Sequence, residues 1–275
     1  MAKSPAKSAY HATDGAAYEV FLGRWTRRLA PLLIDFAEFP GAGPLIDVGC
    51  GTGSVARAMA TRWPARPVIG VDLAAPYVAF ARGEPRLDNL TFAEADAARL
   101  PYGDDSFDGA AAQLMLNFVP DPAAALDEMK RVTAPGGHLA AAVWDFRGGL
   151  VYQRIFWDTA AGLDRQAAAV RDRLFSGALA LPDGLTDLFR RCGLERIERA
   201  SLTIRMDYTS FDDYWQPLLG GQGPVGTYAA ALPADLRARI ESAVCDSYLS
   251  GAPDGPRSLT ATAWAVRGVV PAGLG

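Results

Sequence analysis

The chain has 275 residues, half of them hydrophobic and 21% charged, with a formal net charge of -4. That length suits one sizeable α/β core with insertions rather than two full domains, and the composition excludes the disordered and fibrous classes. The acidic balance gives no overall reason to bind nucleic acid, no apolar run of about 18 residues is there to cross a bilayer, and residues 1–8 lack the apolar core of a signal peptide.

Along the chain, Pro44-Leu45-Ile46-Asp47-Val48 is a short, β-branched apolar run closed by glycines, which predicts a buried strand. Ser54 to Trp63 carries Val55, Ala58 and Met59 at helical spacing, with Pro64 and Pro67 beyond its end. The pattern repeats in Val68 to Asp72, a strand ending on a carboxylate, followed by a helix from Ala75 to about Arg82 and a third strand from Leu90 to Asp96. Gly103 to Ser106 is a turn, Phe107 to Leu114 a small-residue strand, and Asp121-Pro122 a cap and first-turn pair opening a helix through Arg131. Pro135-Gly136-Gly137 predicts a turn into a fifth strand, Leu139 to Trp144. Strands alternating with helices in this way predict a parallel, doubly wound sheet with right-handed crossovers.

Further on, Tyr152 to Leu163, Gly184 to Cys192 and Pro233 to Leu249 read as helices. Leu194 to Met206 contains a strand, and Leu259 to Val266 suits a final strand added to the sheet. The stretches from Arg147 to Ala180 and from Thr209 to Gly255 are expected to cover the active site. Cys50, Cys192 and Cys245 are far apart and form no CxxC pair, so they read as reduced packing thiols in a cytoplasmic protein, with no disulfide framework and no metal site.

In an open α/β sheet, ligands bind beyond the carboxyl ends of the strands. Gly49, Gly51 and Gly53 stand there, letting the backbone turn sharply and approach a ligand while free N–H groups at the helix start meet negative charge. The spacing is Gly-x-Gly-x-Gly; dinucleotide-binding oxidoreductases place the last glycine one position later, and no Gly-Lys-Ser/Thr follows to make a P-loop. Asp47, Asp72 and Asp96 end three successive strands. Each alone reads equally as a helix cap, but together they point to one ligand, with Asp72 about twenty residues past the turn where ribose hydroxyls are bound.

These residues resemble the class I S-adenosylmethionine (SAM)-dependent methyltransferases, in particular the small-molecule branch of the ubiquinone/menaquinone-biosynthesis type. The match spans Leu45 to Trp144 and includes Leu45 to Gly53, Gly70-Val71-Asp72, Glu94 to Pro101, Asp105 to Asp108 and Leu126 to Gly137. The resemblance implies a Rossmann-like, doubly wound sheet of seven strands, parallel with a C-terminal antiparallel strand, plus helical cap insertions. Residues 1–40 would be a helical cover, 41–146 the SAM-binding core and 147–275 the rest of the sheet with substrate-cap helices, in one integrated domain. The implied reaction is methyl transfer to oxygen, nitrogen or carbon of a small-molecule acceptor, leaving S-adenosylhomocysteine (SAH), by a monomer or homodimer. A SAM-binding protein without turnover and an NAD(P)-dependent oxidoreductase are the alternatives; no Tyr-x-x-x-Lys pair supports the second.

By the same resemblance, Gly49 and Gly51 pass beneath the methionine part of SAM and Asp47 holds its amino group. Asp72 takes the ribose hydroxyls, with Leu73 on the adenine. Asp96 and the Ala97 backbone read the adenine edge, and Gln113 and Leu114 border the sulfonium. In the amphipathic cover Tyr18 to Trp25, Tyr18 is a further candidate. Arg24 either pairs with the SAM carboxylate or sits on the helix surface.

Positioning can carry most of such a reaction, so a general base is optional. The base candidates are His11 in the cover and His138, while Asn117 after the fourth strand and Asp145 after the fifth are catalytic candidates as residues expected to point toward the substrate. His138 begins the fifth strand at the end away from the cofactor. Trp144 and Trp215 read as core or as pocket wall, and Asp145 equally as a cap.

Overall fold

The computed structural model describes residues 14–272. The chain enters through α1 (Gly15–Tyr18), a π-helical turn (Glu19–Gly23) and α2 (Arg24–Ala37). Asp14 caps the start, accepting from the amides of Ala16 and Ala17. Trp25, Leu29 and Leu33 recur every four residues of α2 and are all buried, so the helix lays one stripe on the core and leaves Arg27 and Arg28 in solvent.

The core then alternates β1 (Leu45–Val48), α3 (Ser54–Arg62), β2 (Val68–Asp72), α4 (Ala75–Gly83), β3 (Leu90–Glu94), β4 (Phe107–Gln113), α5 (Pro122–Val132) and β5 (Thr133–Trp144). The remainder comprises α6 (Val151–Leu163), α7 (Arg165–Phe175), α8 (Gly184–Arg191), β6 (Glu195–Tyr208), α9 (Phe211–Trp215), α10 (Gly223–Ala230), α11 (Ala234–Leu249) and β7 (Arg257–Val269). The strands form one sheet in the order β3-β2-β1-β4-β5-β7-β6. The first five run parallel, and β7 lies antiparallel between β5 and β6. This is the expected seven-stranded, doubly wound sheet with its antiparallel C-terminal strand.

Because side chains alternate across a strand, the central strands feed two cores. Ile46, Val48, Ala110, Ala112, Leu139, Ala141 and Val143 pack with α5 and α8 on one face. Leu45, Ala111, Ala140, Ala142 and Trp144 pack with α2, α3 and α6 on the other. Alanines dominate β4 and β5, so helices on both faces approach closely at the middle of the sheet.

Three expectations are corrected. Pro135-Gly136-Gly137 is not a turn before β5 but part of it: the strand begins at Thr133, with Gly136 at φ +81° donating its N–H to the Val270 carbonyl. The cover after β5 contains a separate helix, α7, capped by Asp164, which accepts from the amides of Gln166 and Ala167. The last two strands are much longer than their apolar cores, because β6 and β7 pair from Glu195–Val269 to Tyr208–Arg257 and need burial on only part of that length.

Candidate active site

β1 delivers its C-terminus to a turn whose left-handed backbone favours glycine. Gly49, Gly51 and Gly53 have φ of +71°, +54° and +94°. The turn is tied to β2, since the amides of Gly49 and Cys50 both donate to the Val71 carbonyl at 2.8 and 2.9 Å. A Cβ on Gly49 would lie 2.7 Å from Met115 Cβ, whereas on Gly51 the nearest atom would be Tyr77 Cδ2 at 3.8 Å. Gly49 therefore serves packing, and Gly51 leaves room above the turn.

Three carboxylates surround this turn. Asp47 is 1% exposed; its Oδ2 accepts from the Ala56 amide at 2.9 Å, while Oδ1 is buried and has no hydrogen-bond partner among the described residues. Burial pushes its pKa up to about 7, against the Ala56 hydrogen bond, and the nearby Asp72 charge adds to the rise. Asp72 accepts from the amides of Gly51 and Ala74, both at 2.8 Å, and burial pushes its pKa upward despite those bonds. Asp96 lies two residues past the end of β3, in a turn where its Oδ1 accepts from the Ala98 amide at 2.9 Å.

The carboxyl ends of the strands open into a cavity of about 650 Å³. One part is walled by Gly49, Gly51, Asp72, Leu73, Asp96 and Ala97, and there Leu73 is 65% exposed, an uncovered apolar surface beside a carboxylate. Gln113 and Leu114 form the middle; Leu114 is held at φ +62° by its amide's bond to the Ala142 carbonyl, an unusual backbone for a leucine. The other part is apolar, with Phe21, Leu22, Phe118, Trp144 and Phe146, and with Gln153 as a polar member. Tyr18 borders this cavity and also a recess of about 30 Å³ shared with Asp47, Thr26, Ser54 and Gln113. Gln113 donates to the Thr26 carbonyl, leaving its Oε1 buried and without a partner among the described residues. Above the site, the Tyr18 and Tyr77 rings meet at 5.0 Å, and the Tyr77 hydroxyl donates to Gln222 Oε1 at 3.0 Å, joining the N-terminal cover to the late cap.

The structure thus brings together Tyr18, Gly49, Gly51, Asp72, Leu73, Asp96, Ala97, Gln113 and Leu114, with Asp47 in the adjoining recess. Other candidates lie elsewhere. Arg24 does not border the cavity: it donates to Asp213 Oδ1 at 2.8 Å and to the Asp213 carbonyl, with its guanidinium 4.4 Å from the Trp25 ring centre. Asp145 caps the turn after β5, accepting from the amides of Arg147 and Gly148, and is not in the cavity wall. Asn117 is also outside the wall, its Oδ1 buried without a partner among the described residues. His11 lies outside the described residues. His138 contacts the Ala37 carbonyl through Nδ1 at the far end of β5, and Trp215 is core, stacked on Phe211. Phe118, Phe146 and Gln153 were not foreseen, and Phe21 and Leu22 only as part of the amphipathic cover Tyr18 to Trp25; Phe118 and Phe146 follow strand ends, whereas nothing local marks Gln153.

The donor set fits an adenosyl compound bearing an amino group. Asp47 Oδ1 offers a buried acceptor, the space over Gly51 admits a ligand backbone, and Asp72 keeps lone pairs beyond those used by Gly51 and Ala74. Among the described residues no group of three His, Cys, Asp or Glu side chains is placed to hold a metal, and no helix is long and apolar enough to cross a membrane. Fold and site define a doubly wound protein whose donor groups at the ends of β1 to β3 suit a nucleoside-bearing cofactor.

Similar proteins narrow that class. A methyltransferase-domain family matches residues 46–141. The chain is 37% identical to the demethylmenaquinone methyltransferase of Thermus thermophilus over 141 residues, which are 48% of this chain and 61% of that enzyme. It is 30% identical to an uncharacterised protein of Mycobacterium tuberculosis over 81% of both chains. In three dimensions it resembles phosphoethanolamine N-methyltransferase 2 of Haemonchus contortus in complex with SAM, at a TM-score of 0.57 and 17% identity, over 94% of this chain and 57% of that one. The chain belongs to the class I SAM-dependent methyltransferases.

Proposed function

We propose that the protein transfers the methyl group of SAM to oxygen, nitrogen or carbon of a small molecule and releases SAH. The observation that carries this reading is the division of one cavity into a carboxylate-bearing part at the ends of β1 to β3 and an apolar part beyond β4 and β5. Asp47 would hold the amino group and Asp72 the ribose hydroxyls. Leu73 would pack on the adenine, with Asp96 and the Ala97 amide at its edge. Gln113 and Leu114 would border the sulfonium, with Tyr18 closing that side.

Bound there, SAM supplies a methyl group on a sulfonium, activated for in-line displacement. The chain itself contributes positioning and the exclusion of water, and placing two reactants in line is worth roughly 7–11 kcal/mol of barrier. The Tyr77–Gln222 hydrogen bond and the paired Tyr18 and Tyr77 rings close the site from above. None of the described residues lining the cavity is a histidine, lysine or arginine. That suits a small acceptor better than nucleic acid, whose phosphates need cations. A cytoplasmic setting suits the three unpaired thiols.

Incubation of the protein with methyl-labelled SAM and a metabolite extract tests the reading. Label should appear in an organic-extractable product and SAH should accumulate in equal amount; SAM that binds but is never turned over would reduce the protein to a cofactor-binding module.

A further inference from the structure

We propose that residues 220–223, the run Gly-Gly-Gln-Gly, form a strap that gates exchange of the cofactor, latched by Gln222 on Tyr77; this rests on the methyl-transfer reading above. The need for a gate comes from the shape of the site. Its floor is the glycine turn, and a Cβ on Gly51 would meet the Tyr77 ring at 3.8 Å, ordinary contact distance, so the slot between turn and ring is one atom layer deep. Past the slot lies the recess that Asp47 shares with Thr26, Ser54 and Gln113, bordered by Tyr18. The amino-acid end of an adenosyl cofactor branches into ammonium and carboxylate, so it is too wide to be threaded through. Tyr77 must lift for that end to enter or leave.

The roof has three pieces. α4 brings Tyr77 in its first turn, 4% exposed and bordering the cavity. α1 lies against α4: a Cβ on Gly15 would stand 2.5 Å from Phe80 Cβ, so the helices meet at a glycine, and three residues on the Tyr18 ring reaches Tyr77. The strap closes over both. Gly220 faces α1, where a Cβ on it would be 3.8 Å from Ala17 Cβ. Gln222 is 2% exposed, with Oε1 accepting from the Tyr77 hydroxyl at 3.0 Å, and Pro224, just past the strap, borders the cavity.

Of these pieces the strap is the one built to move. Gly221 and Gly223 flank Gln222 with φ of +73° and +62°, a backbone region that glycine occupies at no Cβ penalty. Hinges are a few residues at element ends that absorb large changes in φ and ψ, and Gly223 opens α10. Gln222 stiffens the shut form from within, its Nε2 donating to the Gly220 carbonyl at 3.2 Å. Once the strap swings out, the Tyr77 hydroxyl and the Gln222 amide can both pair with water. The latch is therefore worth one net hydrogen bond, a bias of about three- to tenfold toward the shut form.

The test is kinetic and uses the full chain. SAH binding is first measured by calorimetry; a folded wild type that binds none overturns the methyl-transfer reading and the gate with it, whereas the rates bear on the gate alone. Surface plasmon resonance then gives the association and dissociation rates of SAH. Tyr77→Phe keeps the ring and removes the latch, so both rates should rise about three- to tenfold while Kd stays within about twofold. A rise in dissociation alone would make the hydrogen bond a contributor to affinity, and unchanged rates would make it idle; either result overturns the gate. A second arm does not depend on that variant folding. Ala17→Cys with Gly220→Cys puts two Cβ atoms 3.8 Å apart, a separation that a disulfide spans. Oxidised with SAH bound, the double variant should release it about tenfold or more slowly than after reduction with dithiothreitol. Equal release from the two forms, or failure of the pair to oxidise, overturns the proposal.

Discussion

Substitution of Asp47 by Asn makes the sharpest prediction about stability. In the folded chain burial raises the carboxyl pKa to about 7, whereas the unfolded chain protonates it in the ordinary carboxylate range near pH 4. The folded state therefore holds this proton more tightly, and the stability it contributes is full below about pH 4 and is lost as pH rises to about 7. At 1.36 kcal/mol per pH unit the window is worth up to roughly 4 kcal/mol. Asn matches the volume of the neutral acid, and its carbonyl can accept from the Ala56 amide as Oδ2 does. Urea denaturation of the cofactor-free protein at pH 5 and pH 8 gives the comparison. Wild type should lose about 2–3 kcal/mol relative to Asp47→Asn over that interval, which covers about two pH units of the window, a difference in which the other titrating groups, Asp72 apart, largely cancel. An ammonium placed at Oδ1 would favour the carboxylate, so SAH binding at pH 6 should also release up to about one proton, read from the buffer dependence of the calorimetric heat. Identical pH dependence in the two proteins would refute both the buried-acid reading and the amino-group placement built on it.

Asp72→Asn should weaken SAH by about 1.5–3 kcal/mol for each charge-assisted ribose bond lost, measured by calorimetry, and unchanged affinity would move the ribose elsewhere. Gly49→Ala should lower the urea midpoint by the equivalent of at least about 1–2 kcal/mol, because its φ of +71° is costly for alanine and the new methyl group meets Met115; an unchanged midpoint would contradict the strained turn. Arg24→Ala should cost about 1 kcal/mol of stability through the Asp213 pair and the Trp25 contact while leaving SAH affinity as it was; a large loss of affinity would return Arg24 to the cofactor.

β1 and β2 were legible because each is a short, largely buried run closed by glycine or a carboxylate; β2 falls on Val68 to Asp72 as expected, and β1 loses only Pro44. The residues expected at the cofactor, Tyr18 and Arg24 apart, lie within a few positions of strand ends, which is why the fold gathers them around one cavity. The acceptor half was not legible in that way. Trp144 alone was read as a wall candidate; Phe21, Phe118 and Gln153 come from three further segments and meet it only after the sheet has formed. Arg24 was misplaced because its partner, Asp213, is 189 residues away. The turn expected at Pro135-Gly136-Gly137 failed because the edge of β5 finds Val270 and continues as strand where local propensity stops it.

The account stands or falls on the cofactor. Titration of the purified full chain with SAH and with SAM should give saturable binding at one site per chain, weakened in Asp72→Asn. A well-folded protein that binds neither would contradict the site assignment.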